Sequence, residues 1–463
     1  MTQRVFLDFL HILEQLKCNT RHSWTSTGRH ETVAAHTWRL AVMALLLRDE
    51  LPGVDMDKVL RMCLIHDFGE AVTGDIPSFE KTGADEAAET EAVAGMLAPL
   101  PEPLRGELTA LFAEMDALET PESRVYKTLD KLEAVIQSDI PKDSSFSLVD
   151  SVAKRAREEG CDGVLAIGGG SVLDTAKAVR ALLSQGERTL RAMLGSEWLT
   201  RGQPVPFVMV PTTSGTGSEC TAVAVVQDDR SHLKQEIVSD QFLPDVAVLD
   251  PRSTKSLPPR LTAASGMDAL THAIEAYTGR QKNPLSDAYA RSAVELIGQN
   301  LIAAVREPKK DEYRLAMACA SAMAGMAFSN SMVGVAHAIA HALGAVCQLP
   351  HGEAVGLLLP KVMRWQMDVQ APRYGELLCA FCGAEYYAEI PYQQRGEKLV
   401  EAIEDTLLHL HQKCGIPQTL RDAGVSRRNL KQIVQAALND GAMLASLKPA
   451  GREDVENILE SAL

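Results

Sequence analysis

The sequence predicts an α-rich chain in two parts: an all-α amino-terminal part, then a shortened α/β segment that leads into a second all-α part. Three observations support this fold class. Apolar residues recur three and four positions apart from Met1 to about Gln137, which is the period of an amphipathic helix. Strand-like apolar runs and a glycine turn follow, and beyond Pro251 the pattern is helical again to Leu463. We therefore expect three domains, at residues 1–140, 141–250 and 251–463.

The composition favours an enzyme that acts on small molecules. The chain has 463 residues and a formal net charge of -15, whereas nonspecific binding of a nucleic acid polymer needs a concentrated Lys/Arg surface. No stretch approaches the roughly 20 apolar residues that span a bilayer, so we expect no membrane partner. The nine cysteines are dispersed without a secretory context, which indicates reduced thiols and a cytoplasmic protein.

Three predicted helices bring metal-ligand residue types together in the first part. Val33–Leu47 carries His36, Asp57–Ile65 ends at the pair His66 and Asp67, and Arg124–Gln137 carries Asp130. Imidazoles and carboxylates form a mixed nitrogen and oxygen site, which suits Mn, Co, Zn or Mg. Such an ion can lower the pKa of a bound water and orient a phosphate oxygen. The reaction expected of such a site is phosphoester hydrolysis.

The motifs around these residues, at 31–40, 64–77 and 129–133, resemble the HD-domain phosphohydrolases, in particular the branch similar to bacterial 5'-deoxynucleotidases. The resemblance implies deoxynucleoside monophosphate substrates. By family position the implied metal ligands are His36, His66, Asp67 and Asp130, the implied catalytic residues are Glu70 and Asp75, and Arg21 lies where a phosphate- or sugar-binding arginine is expected. Members of this branch continue for further helices after the last aspartate, whereas this chain changes character within about ten residues, at the polar stretch 138–145.

The α/β segment begins with a predicted helix at Leu148–Glu159 and a buried strand at Gly163–Ile167. The glycine turn after this strand fits either a plain strand-to-helix connection or a pyrophosphate site at a helix amino terminus. A second glycine- and hydroxyl-rich loop, Pro211–Glu219, follows another apolar run and favours a clamp for one dinucleotide. Further strands are expected at Pro206–Val210, Ala222–Val226 and Val246–Leu249.

The last part carries a second set of ligand-type residues. Asp268 and His272 are four residues apart, as are His337 and His341, so each pair shares one helix face. His351 follows after a turn with proline and glycine. One carboxylate with three imidazoles makes a good site for Fe(II) or Zn and leaves one histidine for an acid/base or orienting role.

Residues of about 145–463 resemble the iron-containing alcohol dehydrogenases, which share their fold with dehydroquinate synthase. The motifs lie at 266–277, 335–344 and 349–353. By family position the implied metal ligands are Asp268, His272, His337 and His351, His341 is an implied catalytic residue near the substrate, and Gly169, Gly170, Ser171, Thr212, Thr213 and Lys234 match positions that contact NAD or NADP. The implied reaction is hydride transfer from a metal-activated alcohol to the nicotinamide, or aldehyde reduction in reverse.

This segment is shorter than the family pattern, which begins with a further strand-helix unit and an acidic residue that reads the ribose. The strand at 163–167 is therefore expected at an exposed sheet edge, and homo-oligomers are expected. Three functional interpretations follow from the sequence: a metal-dependent alcohol dehydrogenase or aldehyde reductase fused to a phosphohydrolase, a chain active only as the phosphohydrolase, or an inert chimera of two truncated enzymes.

Overall fold

The computed structural model describes residues 1–24, 30–76, 82–137, 144–185, 189–194, 205–230 and 234–463. The chain divides into two compact units, Met1–Lys142 and Asp143–Leu463. Of the boundary stretch 138–145, only the last two residues are among those described. Within the described ranges, no helix combines the length and the hydropathy that crossing a membrane requires.

The first unit is built mainly from helices. Caps on polar side chains begin the two helices that lead to the first ligand set: Thr32 accepts the Ala35 N–H at 3.2 Å and Asp55 accepts the Lys58 N–H at 3.1 Å. Apolar side chains of α2, α3, α6 and α7 form one buried core. The elements are α1 Gln3–Leu13, β1 Thr20–Trp24, β2 His30–Thr32, α2 Val33–Leu46, α3 Met56–Ile65, α4 Glu70–Thr73, α5 Gly83–Leu97, α6 Leu104–Ala117 and α7 Pro121–Gln137.

The prediction that this first part is all-α was wrong in one detail, because β1 and β2 form a short antiparallel pair. Thr20 lies opposite Thr32 in this pair, and the Val33 N–H donates to the Asn19 carbonyl at 3.0 Å. The chain thus folds back beside itself just before α2 begins. A two-stranded ribbon this short leaves little alternation in the sequence, so a helical pattern on both sides conceals it.

The α/β segment of the second unit contains two separate sheets. Strands β3, β4 and β7 form a parallel sheet in that order, whereas β5 and β6 form an antiparallel pair. The strand β6 was not predicted, because its residues are mostly polar and only Ile237 is buried. The elements are α8 Phe146–Glu158, β3 Val164–Gly168, α9 Gly170–Ser184, α10 Leu190–Met193, β4 Phe207–Pro211, β5 Val223–Gln227, β6 Lys234–Val238 and β7 Val246–Ala247.

The parallel sheet is covered on one face and open on the other. Ala166, Phe207 and Met209 are buried together with Leu173 of α9. On β3, which pairs only with β4 among the described strands, Leu165 is 62% exposed and Ile167 is 48% exposed. The exposed edge expected from the sequence is confirmed.

The remainder of the second unit is helical, as predicted, and α11 is buried along most of its length at the centre of it. This burial makes α11 a rigid support for the second ligand set. The elements are α11 Pro259–Thr278, α12 Pro284–Arg306, α13 Asp311–Ser329, α14 Val335–Cys347, α15 His351–Trp365, α16 Met367–Cys382, α17 Ala384–Glu389, α18 Arg395–Cys414, α19 Leu430–Leu438 and α20 Arg452–Ala462.

Candidate metal sites and nucleotide site

The first predicted ligand set comes together in the first unit. The Nε2 atom of His36 lies 3.3 Å from Asp130 Oδ1 and 3.8 Å from Asp67 Oδ2. The Nε2 atom of His66 lies 2.9 Å from Asp67 Oδ1 and 3.7 Å from Asp130 Oδ1. Helices α2 and α7 and the carboxyl end of α3 thus supply two imidazoles and two carboxylates to one point.

The ligand-type atoms of this set do not satisfy one another by hydrogen bonds, but they are placed to bind a metal ion. The Nε2 atoms of His36 and His66 and Oδ2 of Asp67 are buried and make no hydrogen bond within the described residues, although they lie at ion-pair distances. Buried polar atoms are normally satisfied, so several convergent exceptions fit a site that binds an ion. Nitrogen and carboxylate donors of this kind suit a divalent ion.

The opposite nitrogen of each imidazole is already held. His36 Nδ1 is hydrogen-bonded to the buried carboxylate of Glu133, which also pairs with Arg39 Nε at 2.6 Å. His66 Nδ1 donates to the Cys63 carbonyl at 2.9 Å. Burial lowers the pKa of His36, but the carboxylates of Asp130 and Glu133 outweigh it and raise the pKa to about 9. Such partners orient a metal-binding imidazole.

Of the predicted catalytic carboxylates, Glu70 lies within electrostatic reach of Asp67, and Asp75 lies within reach of Glu70. Burial raises the pKa of Glu70 to about 10, the charges of Asp67 and Asp75 add to the rise, and Arg21 opposes it. Arg21 therefore lies near the carboxylate that was expected to handle water and substrate. Burial also raises the pKa of Glu31, and the charge of Arg21 partly opposes this rise.

Sequence reasoning assigned no role to Glu133 or Glu31 in this unit. Both are buried, and their carboxylates lie with His36 in one group of potential ligand atoms. The available signal was helical spacing, because Glu133 follows Asp130 by three residues and therefore shares its face of α7.

In the second ligand set, three imidazoles surround one carboxylate oxygen, Oδ1 of Asp268. Asp268 Oδ1 lies 3.7 Å from His272 Nδ1, 3.7 Å from His337 Nε2 and 3.5 Å from His351 Nε2. Helices α11, α14 and α15 supply these groups. Asp268 Oδ1, His272 Nδ1 and His337 Nε2 are buried without a hydrogen bond in the described part of the chain. This set also fits a divalent ion.

Asp268 and His272 have the charge states that a metal ion requires of its ligands. Burial raises the pKa of Asp268, but the neighbouring imidazoles of His272 and His351 outweigh it and hold the pKa well below its usual range. Burial and the nearby imidazoles of His337 and His351 lower the pKa of His272 to about 3, against the opposing charge of Asp268. An ionised carboxylate and a neutral imidazole are the forms that bind metals.

The buried carboxylate of Glu275 orients one ligand of this site. It accepts hydrogen bonds from His337 Nδ1 at 2.6 Å and from the backbone N–H groups of Gly334 and Ala336 at 2.7 Å each. It therefore holds the imidazole and the amino terminus of α14 together. Glu275 had no predicted role, although it lies within the sequence motif at 266–277.

His341 lies beside the ligand set and has a different partner. Its Nδ1 lies 2.8 Å from Asp440 Oδ2, and its ring is stacked on His351 with 5.3 Å between centroids. The three imidazoles around Asp268 Oδ1 thus do not include His341, which is left for another role.

The two predicted nucleotide loops contact each other at the carboxyl ends of β3 and β4. The Thr212 N–H donates to the Gly168 carbonyl at 2.9 Å. A Cβ atom at Gly169 would lie 3.3 Å from Thr213 Cγ2, and one at Gly170 would lie 2.8 Å from Thr216 Cγ2. Ser171 is exposed in the first turn of α9, whereas Lys234 lies outside this pair of loops, exposed at the start of β6.

The second loop also reaches α11, the helix that carries Asp268 and His272. Gly217 has a φ of +58° and its N–H donates to Ser321 Oγ at 3.1 Å. A Cβ atom at Gly215 would lie 2.9 Å from that of Ser265, one turn before Asp268 on α11. A dinucleotide held by these loops would therefore lie close to the second ligand set.

Comparisons with known proteins identify both parts of the chain. Family models match as "Iron-containing alcohol dehydrogenase" at residues 114–251, as "Fe-containing alcohol dehydrogenase family, C-terminal" at 262–463, and as "HD domain" at 13–158. The HD and dehydrogenase matches overlap at residues 114–158, which include all of α7 and all of α8.

Curated relatives and solved structures resemble the second part. The probable alcohol dehydrogenase EutG of Salmonella typhimurium is 37% identical over 322 residues, which cover 70% of this chain and 78% of the relative. The 1,3-propanediol dehydrogenase of Klebsiella pneumoniae is 37% identical, with 70% and 80% covered. A 1,3-propanediol oxidoreductase structure aligns with a TM-score of 0.66 at 34% identity, over 70% of this chain and 83% of that one. The chain belongs to the iron-containing alcohol dehydrogenase family and carries an HD domain in its amino-terminal part.

Proposed function

We propose that the second unit catalyses metal-dependent oxidation of primary alcohols, and aldehyde reduction in reverse, with NAD or NADP. The observation that carries this proposal is the meeting of Asp268, His272, His337 and His351 at one buried carboxylate oxygen, beside two contacting glycine loops. A family with this name implies a metal and a nicotinamide cofactor. The predicted division of this unit at about residue 250 stays part of the proposal.

The proposed chemistry assigns a separate task to each group of residues. Fe(II) or Zn held by the four ligands would supply a Lewis acid that lowers the pKa of an alcohol oxygen. Glu275 keeps His337 Nδ1 protonated and thereby keeps its Nε2 available as a ligand atom. The backbone around Gly169 and Gly170, with Ser171, Thr212 and Thr213 beside it, binds the pyrophosphate, because α9 begins there and the amino terminus of a helix attracts an anion. Lys234 and His341 remain proposed cofactor and substrate contacts.

Short primary alcohols and diols are the first substrates to test, because several relatives are named for 1,3-propanediol or for simple alcohols. We expect the Zn- or Fe(II)-loaded protein to reduce NAD(P) with such substrates. His272→Ala removes a buried ligand and should abolish both this turnover and the metal bound at the site. Absence of activity in the fully loaded wild-type protein would contradict the proposal.

A second candidate function resides in the first unit, where His36, His66, Asp67 and Asp130 are arranged around unsatisfied buried atoms. We propose that this unit hydrolyses deoxynucleoside 5'-monophosphates with Mn, Co, Mg or Zn. Glu70 and Asp75 would handle the attacking water and the substrate, and Arg21 would bind its phosphate or sugar.

The two candidate functions provide matched controls for each other. Asp67→Ala should abolish phosphate release and leave alcohol oxidation unchanged, whereas His272→Ala should do the reverse. Phosphate release that persists in Asp67→Ala would exclude this site as its source. If the loaded wild-type chain showed neither activity, the interpretation as an inert chimera would replace both proposals.

A further inference from the structure

We infer that Asp440 is a positioning residue that fixes His341 in the tautomer with its proton on Nδ1, so that Nε2 is the hydrogen-bond acceptor. The catalytic meaning of this inference rests on the proposed dehydrogenase function. The geometry itself is independent of turnover, and it joins a residue near the end of the chain to an imidazole beside the ligand set.

The carboxylate of Asp440 is fixed at both oxygen atoms. Oδ1 accepts the Ala442 N–H at 2.9 Å, and Oδ2 lies 2.8 Å from His341 Nδ1. The Asp440 N–H donates to the Ala437 carbonyl at 3.1 Å, at the end of α19. The side chain therefore cannot rotate away from the imidazole without losing the hydrogen bond that begins the turn at 441–445.

This arrangement determines where the proton of the imidazole resides. An ionised carboxylate only accepts hydrogen bonds, so Nδ1 must be the donor in this contact. In a neutral imidazole the other nitrogen then carries the lone pair. The ring is held by stacking on His351 and lies edge-on to His337, with 6.1 Å between those centroids. An acceptor nitrogen is thus held beside two of the proposed ligands, where an alcohol O–H needs a hydrogen-bond partner.

Among the described residues, Glu236 is a second acidic group near this imidazole and provides the matched control. Its Oε1 lies 3.9 Å from His341 Nδ1, which is too long for a hydrogen bond. It comes from β6, whereas Asp440 follows α19. Removing the charge of Glu236 should therefore leave the tautomer unchanged.

Asp440→Asn provides a sharp test because it preserves the size of the side chain. The Ala442 N–H requires an acceptor, so the amide oxygen should replace Oδ1 and direct the NH2 group at His341 Nδ1. A donor at this position reverses the tautomer and leaves Nε2 protonated. Asp440→Ala removes the partner altogether and should give a mixture of both tautomers.

The tautomer can be read in the zinc-loaded full-length protein labelled with 15N-histidine, by long-range proton–nitrogen correlation. His341→Gln identifies the signals of this residue. We expect protonated Nδ1 in wild type and Glu236→Gln, protonated Nε2 in Asp440→Asn and a mixture in Asp440→Ala. A wild-type signal with the proton on Nε2, or a tautomer unchanged in both Asp440 variants, would overturn the inference.

Kinetics then test whether the tautomer matters for the reaction. We expect kcat for alcohol oxidation to fall by about 10- to 100-fold in Asp440→Asn, with bound zinc, melting temperature and KM for the cofactor unchanged. A purely structural role in beginning the turn would leave kcat of this variant at the wild-type value, and that result would contradict a role in turnover. If wild type has no turnover, the proposed function fails, whereas the correlation spectra still decide the inference.

Discussion

A buried glutamate behind a histidine proposed as a metal ligand appears in both units. Glu133 holds His36 and Glu275 holds His337, in each case at Nδ1, so that Nε2 points toward the other ligands. A partner of this kind fixes the tautomer and the ring orientation and increases the basicity of the ligand. Both sites therefore orient a histidine with a buried glutamate, although the two units have unrelated folds.

Replacement of Glu275 tests this role at the level of one residue. We expect Glu275→Gln to weaken zinc binding by about 10- to 100-fold, because the amide no longer supplies a charged acceptor to His337. Competition with a chromogenic chelator measures the affinity. Glu295→Gln, on the exposed surface of α12, is the matched control. Equal zinc affinity in both variants would contradict a role for Glu275 in zinc binding.

Buried Glu219 in the second nucleotide loop predicts a pH dependence of stability. Burial raises its pKa to about 7, and the charge of Lys177 partly opposes this rise. The folded state thus holds this proton more tightly than the unfolded state, whose pKa is near 4.5. The contribution of this group to stability is complete below pH 4.5 and is lost as the pH rises toward 7.

Glu219→Gln should remove this loss. Relative to wild type, we expect its free energy of unfolding to increase between about pH 5 and 7, by at most about 3 kcal/mol, and the difference to remain constant above that range. Urea unfolding at several pH values measures it. A difference that does not vary with pH would show that ionisation of Glu219 is not responsible.

The residues proposed as ligands can be selected from the sequence, whereas the partners that orient them cannot, for a physical reason. Ligand residue types occur at helical spacings, as in Asp268 and His272, and these spacings survive in the sequence. The partner of His341 is ninety-nine residues away at Asp440, and only the folded chain brings them together. Glu275 stands inside a recognised motif, but its three hydrogen bonds involve the start of another helix.

At the scale of elements, the parallel sheet departs most from a typical nucleotide-binding fold. It has three strands within the described residues, and β3 is an edge strand with exposed apolar side chains. Unprotected edges of this kind favour pairing with another chain. Pairing between chains would agree with the homo-oligomers expected from the sequence.

Leu165→Lys tests this edge. A charge on an exposed edge strand opposes pairing between chains, so we expect less self-association than in wild type. Light scattering over a concentration series measures the change in average mass. Leu285→Lys, at an equally apolar and exposed position on α12, should have no effect. A similar decrease in both variants would indicate a general effect of charge and would exclude the edge.

Element boundaries followed the sequence closely where the apolar pattern was strong, as in α2 and β4. The antiparallel pair β5 and β6 shows why other elements could not be placed. The apolar run at Ala222–Val226 was predicted as a strand, but its polar partner β6 gave no signal of its own. Strand pairing adds backbone hydrogen bonds that hydrophobic periodicity does not record.

At the scale of the whole molecule, one chain combines domains from two protein families. The dehydrogenase part spans 78% to 80% of two curated relatives, and its parallel sheet is open at β3. Nevertheless, both glycine loops and the four groups at Asp268 are assembled. We therefore propose that the shortened nucleotide-binding segment still holds a dinucleotide beside a metal.

The most direct test of this claim is the rate of NAD(P)H formation from a primary alcohol, measured in a zinc- or iron-loaded sample whose metal content is determined at the same time. We expect turnover that disappears when a chelator removes the metal and returns when the metal is restored. Full metal occupancy without turnover, with either cofactor and across a panel of primary alcohols and diols, would contradict the account.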